Sequence, residues 1–74
     1  MRETFLDRKW NELMSLCRKE AEFKRDNCHP KLARFLGDQI DKLAKELGFR
    51  DDQIQHREFR AEKSGDHIVR LLME

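Results

Sequence analysis

Seventy-four residues, of which 42% are charged and 38% hydrophobic, leave room for one small domain with a thin core, since a chain of this length buries only about 60% of the surface it exposes when unfolded. Sixteen Lys and Arg stand against fifteen Asp and Glu, mixed along the chain, for a net charge of +1; the basic stripe of a general polyanion binder is missing. No apolar run is long enough to span a membrane and no charged-then-apolar leader follows Met1, so the expected location is the cytoplasm.

Cys17 and Cys28 suit that compartment as free thiols. On one helix they would stand about 16 Å apart at 1.5 Å rise per residue, whereas a disulfide needs Cα atoms within roughly 7 Å. A core this thin calls for reinforcement. With neither a disulfide framework nor a metal motif evident, oligomerisation is its expected form, and a homodimer the expected state.

Thr4-Phe5-Leu6-Asp7 has the hydroxyl-x-x-acid pattern of a helix start. Behind it Leu6, Trp10, Leu13, Cys17 and Ala21 recur at three- and four-residue spacings, and no proline or glycine interrupts Met1 to Asn27. One long helix is predicted from about Thr4 to Arg25, with Trp10 in its core stripe. Phe5, Leu16 and Phe23 fall roughly 90° around the cylinder from that stripe, which makes the apolar arc wider than one partner helix needs. Arg8, Glu12, Arg18, Glu20, Glu22 and Lys24 make i,i+4 pairs worth only about 0.2–0.5 kcal/mol each, and keep the other face solvated.

Asp26-Asn27-Cys28-His29-Pro30 is a break, with Pro30 suited to a first helical position where its missing N–H costs nothing. So short a connection makes the flanking helices an antiparallel hairpin. Leu32, Leu36, Ile40, Leu43 and Leu47 hold one phase, which predicts a second helix over about 30–47. Gly37 inside it marks a close helix contact or a break. Gly48 is the expected C-cap. Phe35 lies off the stripe; with Phe5, Leu16 and Phe23 it forms a candidate partner or dimer surface.

Asp51 is the expected N-cap of a third helix over about 52–62, in which Ile54 and Ala61 share a face and Phe59 points elsewhere. Ser64-Gly65-Asp66 is a further stop. His67 to Met73 follows, with Ile68, Leu71 and Leu72 apolar, and is predicted as a short helix over 67–73, although Ile-Val also suits a strand. The expected fold is all-α: a single domain, 1–74, with a helical hairpin (4–25 and 30–47) and one or two short C-terminal helices, paired into a dimeric four-helix bundle.

Leu43-Ala44-x-x-Leu47-Gly48-Phe49 followed by Ile54 resembles the helix-turn-helix family, which wants a small residue in the first helix, glycine at the turn and apolar positions around the second helix. Arg57 departs from that pattern, standing where the family has a buried aliphatic residue. Asp51 and Asp52 would also set acid against phosphates. The resemblance implies DNA reading by the 52–62 helix, with Arg50, Gln53, Gln55, His56, Arg57 and Arg60 as candidate contacts. Leu32 to Gly48, entering a third helix at Asp52 to Ile54, resembles the middle of a death domain as well, but the later helices of that six-helix fold have no counterpart in the residues that follow.

Among Cys17, Cys28, His29, His56 and His67 no pair has the short-loop spacing of a structural zinc site, and adjacent Cys28-His29 does not suit tetrahedral geometry. No metal is expected. Nucleophile elbow, glycine-rich phosphate loop and metal-binding helix motif are all absent, Ser15 and Ser64 lack a base arrangement, and a thin helical domain has little room for a pocket. Neither enzyme activity nor a cofactor is expected.

The short, charge-dense chain beginning Met1-Arg2-Glu3-Thr4-Phe5-Leu6-Asp7-Arg8-Lys9-Trp10 resembles, up to about Lys63, the small early-region accessory proteins of lambdoid bacteriophages. That resemblance implies a small regulatory protein in the bacterial cytoplasm that binds a host or phage protein; it carries no motif from which functional residues transfer. A small DNA-binding transcriptional regulator is the alternative. A third reading, an inhibitor that occupies a host nucleic-acid enzyme, fits the same mixed surface.

Overall fold

The computed structural model describes residues 4–26 and 29–72. Asn27 and Cys28 of the expected break, and Met73 at the end of the expected last helix, lie outside them. Helix α1 covers Phe5–Asp26 and helix α2 Pro30–Leu47. Lys9 reaches Glu46 at 3.6 Å near one end, and Glu20 lies against Gly37 toward the other, so the two helices run antiparallel. Proline occupies the first turn of α2, as predicted. The helix passes unbroken through Gly37, where an added Cβ would meet Glu20 Oε2 at 3.0 Å; this glycine marks a close approach. At the far end Gly48 takes φ 96, its N–H donates to Lys45 O at 3.0 Å, and the Phe49 N–H donates to Ala44 O at 3.0 Å. This double closure satisfies two terminal carbonyls and needs a left-handed residue, which glycine supplies without steric cost.

α1 begins as its sequence dictates. The Asp7 N–H donates to Thr4 Oγ1 at 3.1 Å, while the Thr4 N–H and hydroxyl donate to Asp7 Oδ2 at 3.0 and 2.9 Å, a reciprocal cap of otherwise unpaired donors. Asp7 is nonetheless buried, because the same carboxylate holds a segment sixty residues further along. The His67 ring nitrogen Nδ1 lies 3.0 Å from Oδ2, and the Ile68 N–H donates to Oδ1.

The C-terminal third corrects the all-α expectation. Helix α3 covers only Asp51–Gln55, with Arg50 rather than Asp51 as its cap. Strands β1 (Arg60–Ser64) and β2 (His67–Leu72) pair antiparallel where helices over 52–62 and 67–73 were expected. The fold is a mainly helical α+β arrangement, so an all-α four-helix bundle does not describe it.

Two local events cause the difference. α3 stops because Arg57 takes φ 56: its N–H donates to Ile54 O at 3.1 Å and the Glu58 N–H to Gln53 O at 2.8 Å. That is the same closure as at Gly48, with arginine in the glycine position. The second event is a β-bulge. Glu62 faces Arg70 but Lys63 faces Ile68, so Val69 has no place in the register. One extra residue flips the strand's alternation, so Ile68 is buried and Leu71 packs on the core while Val69 and Arg70 are exposed. A three-residue apolar spacing is a helix signature, and the bulge is why this strand carries it. The strands join through Gly65-Asp66 with Gly65 at φ 63, a two-residue loop whose first position favours glycine.

Leu13, Ile40, Leu43, Ala44, Phe49 and Ile54 form the core, between the helical layer and the cover made by α3 and the β-hairpin. Phe49 and Phe59 rings meet within it at 5.0 Å and 59°. The result is a slab of 38 × 27 × 17 Å, with a radius of gyration of 13.0 Å against about 11 Å for a compact domain of this length.

The Asp7 carboxyl is held well below the usual carboxylate range, first by the Thr4 N–H, then by His67, the Ile68 N–H and the Thr4 hydroxyl, against burial that pushes it up. An unfolded Asp titrates near about 3.9. The stabilisation is therefore fully present above that pH and is lost as pH falls below it toward the lower folded value. Urea denaturation at neutral and acid pH is expected to find Asp7→Asn less stable than the parent at neutral pH and with a shallower acid loss. Thr4→Ala, which removes only the cap, is expected to cost about 1 kcal/mol. Equal acid slopes in the parent and Asp7→Asn would contradict this role.

Candidate interaction surface

The α1–α2 layer has two broad sides. Advancing about 100° per residue, Asp7, Trp10, Met14 and Cys17 of α1 turn toward the α3–hairpin cover, where Trp10, Met14 and Cys17 pack on the core. Asp41 and Ala44 of α2 face the same cover. By the same phase Phe5, Glu12, Leu16 and Lys19 come round the opposite side of α1, and Leu32, Phe35, Gln39, Lys42 and Glu46 do so on α2. No described element of the chain lies over that side.

Phe5 is 68% exposed, Phe35 57% and Leu32 48%. Leu16 is half-buried and packs partly on the core. Phe23 is half-buried, with its ring edge-on to His29 at 6.0 Å and 72°. Lys9 links the two helices on this side, its Nζ 5.5 Å from the centre of the Phe5 ring and 3.6 Å from Glu46. Of the four residues picked from sequence, Phe5 and Phe35 are exposed, Leu16 is half-buried against the core, and Phe23 lines a cleft shared with Glu20 and Asp41. Leu32 joins the exposed pair. Sequence placed it in the core stripe, but it sits at the stripe's edge in the first turn of α2, where α1 is ending.

The covered side is organised around Arg57. Its Nε and Nη2 donate to the two Glu20 oxygens at 3.3 and 3.0 Å, and Nη1 donates to Asp41 Oδ1 at 2.9 Å and to the Ile54 carbonyl at 2.7 Å. One guanidinium thereby closes α3 and fastens it to both long helices. Burial disfavours its charge, but the bonds to Glu20 and Asp41 outweigh that and hold the proton more tightly than usual. Beside this clamp lies an open cleft of about 470 Å³, floored by Phe23, Pro30, Ala33 and Gly37. Glu20 and Asp41 at its edge are already engaged by Arg57.

The candidate DNA contacts are scattered by the fold. Gln53 is buried, and its Oε1 accepts the Arg50 N–H at 3.0 Å. Arg50 pairs with Asp52 at 3.5 Å. Gln55 and His56 are exposed near the end of α3, and Arg60 starts β1. Arg57 is committed to the clamp, so the expected 52–62 reading helix is a five-residue turn followed by a strand.

Cys17 is a half-buried free thiol; burial raises its pKa, with Arg57 opposing and Glu20 adding to the rise. It stays protonated at neutral pH. Cys28 lies outside the described residues. Among the described residues no group of three or more His, Cys, Asp or Glu is placed to hold a metal ion, and no helix is long and apolar enough to cross a membrane. No family model, curated protein or solved structure matches the chain.

Replacing Arg57 separates backbone strain from ion pairing. Arg57→Ala removes the bonds and keeps the left-handed backbone, and is expected to cost about 2 kcal/mol in urea denaturation, because it strips partners from the buried Glu20. Arg57→Gly loses the same bonds but relieves the backbone, and is expected to cost about 1 kcal/mol less. Equal losses would contradict the strained conformation, and no loss in either would contradict the clamp.

Proposed function

We propose that this chain is a non-catalytic regulatory protein that acts by laying the open face of its α1–α2 layer against another protein. One observation carries this reading: of the four large exposed apolar side chains among the described residues, three (Phe5, Leu32 and Phe35) sit on that single face. Val69, the fourth, is the bulge residue of β2. Exposed apolar side chains rimmed by polar groups mark protein contact sites; Leu32 and Phe35 lie one turn apart near the start of α2, and Phe5 lies toward the other end of the layer. Glu12, Lys19, Lys42 and Glu46 interleave both signs of charge among these residues, which suits a protein surface of mixed charge better than a polyanion.

The proposed target is a host or phage protein in a bacterial cytoplasm, in keeping with the resemblance to early-region phage accessory proteins. The DNA-reading alternative has less behind it, since Gln53 and Arg57 are both spent on holding the fold together.

Phe35→Asp tests the reading, because a side chain this exposed carries little of the core. Affinity capture from a bacterial lysate is expected to retain a partner on the parent chain and to lose it on Phe35→Asp at unchanged melting temperature. Retention of the same partner by the variant would overturn the proposal, as would a parent that captures nothing and does not self-associate.

A further inference from the structure

We infer that what lies on the open face is an acidic, apolar-bearing segment of another protein, its apolar side chains on Leu32 and Phe35 and its carboxylates against Lys19, Lys31 and Lys42. The inference rests on the reading of this face as a contact surface and names the chemistry of the partner. At about 100° per residue Lys31, Phe35 and Lys42 fall within about 40° of one another around α2, Lys31 one turn before the ring and Lys42 two turns beyond it. Glu20 stands against Gly37, so Lys19 comes round α1 within about one turn of the level of Phe35. Phe35 is thus bracketed by lysines, and all three are exposed.

Ion pairing within the chain supplies the sign. Counted by type, the face carries both charges, but its carboxylates are largely spent. Glu46 is taken by Lys9 at 3.6 Å and Asp26, beside Leu32 at the turn, by Arg25 at 3.5 Å. Asp38, one turn before Lys42, lines the cleft on the covered side. Among the described residues Lys19, Lys31 and Lys42 make no ion pair, and Glu12, about two turns from Lys19, is likewise unpaired. The charge left for a partner around Phe35 is therefore positive, and complementary potential across an interface selects the partner and fixes its register. Extent decides its class. Three lysines with Glu12 beyond them fall short of the basic stripe used on nucleic acid and of the roughly four to eight cations that hold an anionic membrane. From Lys31 to Lys42 is about 16 Å along α2, the length of about three turns of helix or five extended residues. A short peptide segment fits that reach.

Panning a library of random dodecapeptides, each displayed on its own mRNA, against the full chain with Phe35→Asp as counter-selection tests this. Peptides kept by the parent and not by Phe35→Asp are expected to carry apolar residues and an excess of Asp and Glu over Lys and Arg. A synthesised representative is expected to bind Lys19→Glu/Lys31→Glu/Lys42→Glu roughly tenfold more weakly than the parent, with circular dichroism confirming that the variants are folded. Phe35-dependent peptides without the acidic excess, or a representative indifferent to the triple reversal, would overturn the acidic partner and leave the contact face standing. Phe35-dependent binding of phosphatidylserine vesicles or of a single-stranded oligonucleotide would overturn the choice of a protein, and Phe35-dependent self-association would put a second copy there instead. A library that yields no Phe35-dependent peptide would overturn the acidic segment; if lysate capture were empty as well, the contact-face reading would fall with it.

Discussion

The Asp7 carboxylate is where local and long-range order meet in this protein. It completes the cap that starts α1, and it receives the backbone N–H of Ile68 from a strand at the other end of the chain. An isolated two-stranded hairpin is marginal in water, and a buried backbone donor without a partner is costly. Asp7 answers both problems with one side chain. Because its oxygens are shared between cap and strand, the start of α1 and the C-terminal hairpin are joined through one side chain.

Arg57 performs the corresponding task at the other end of the cover. It accepts a left-handed backbone to end α3, and its guanidinium then reaches Glu20 on α1 and Asp41 on α2. Both junctions lie on the same side of the helical layer. The cover is therefore drawn wholly to one side, and the opposite side keeps Phe5, Leu32 and Phe35 at the surface. The open face is a consequence of where three carboxylates sit on two helices.

Much of the helical layer was legible in sequence because its signals are local. Proline and glycine bound α2, the threonine-acid cap starts α1, and the leucine stripe keeps one phase through Gly37. The C-terminal third was not legible, for specific reasons. Arg57 ends a helix in a conformation usually signalled by glycine, and nothing in an Asp-Asp-Gln-Ile-Gln-His-Arg run announces it. The bulge at Val69 gives β2 a helix-like spacing. Gly65-Asp66 between two short runs, with an Ile-Val pair that also suits a strand, was the available hint of a hairpin. For the surface, helical phase puts Phe5 and Phe35 off the stripe, and both are exposed, whereas the exposure of Leu32 depends on where α1 ends and the place of Phe23 on its contact with His29. Arg57 was noticed as a misfit to the helix-turn-helix pattern; its partners lie 16 and 37 residues away and leave no trace in a local motif.

The claim that Asp7 pins the cover to the helical layer is tested most directly by amide hydrogen exchange, read residue by residue in the parent and in Asp7→Asn. The Ile68 amide of the parent is expected to exchange nearly as slowly as that of Ile40 in the core of α2. In Asp7→Asn, exchange is expected to speed up across residues 60–72 while Ile40 keeps its protection. Fast exchange of Ile68 in the parent, or a protection pattern unchanged by the substitution, would contradict the account.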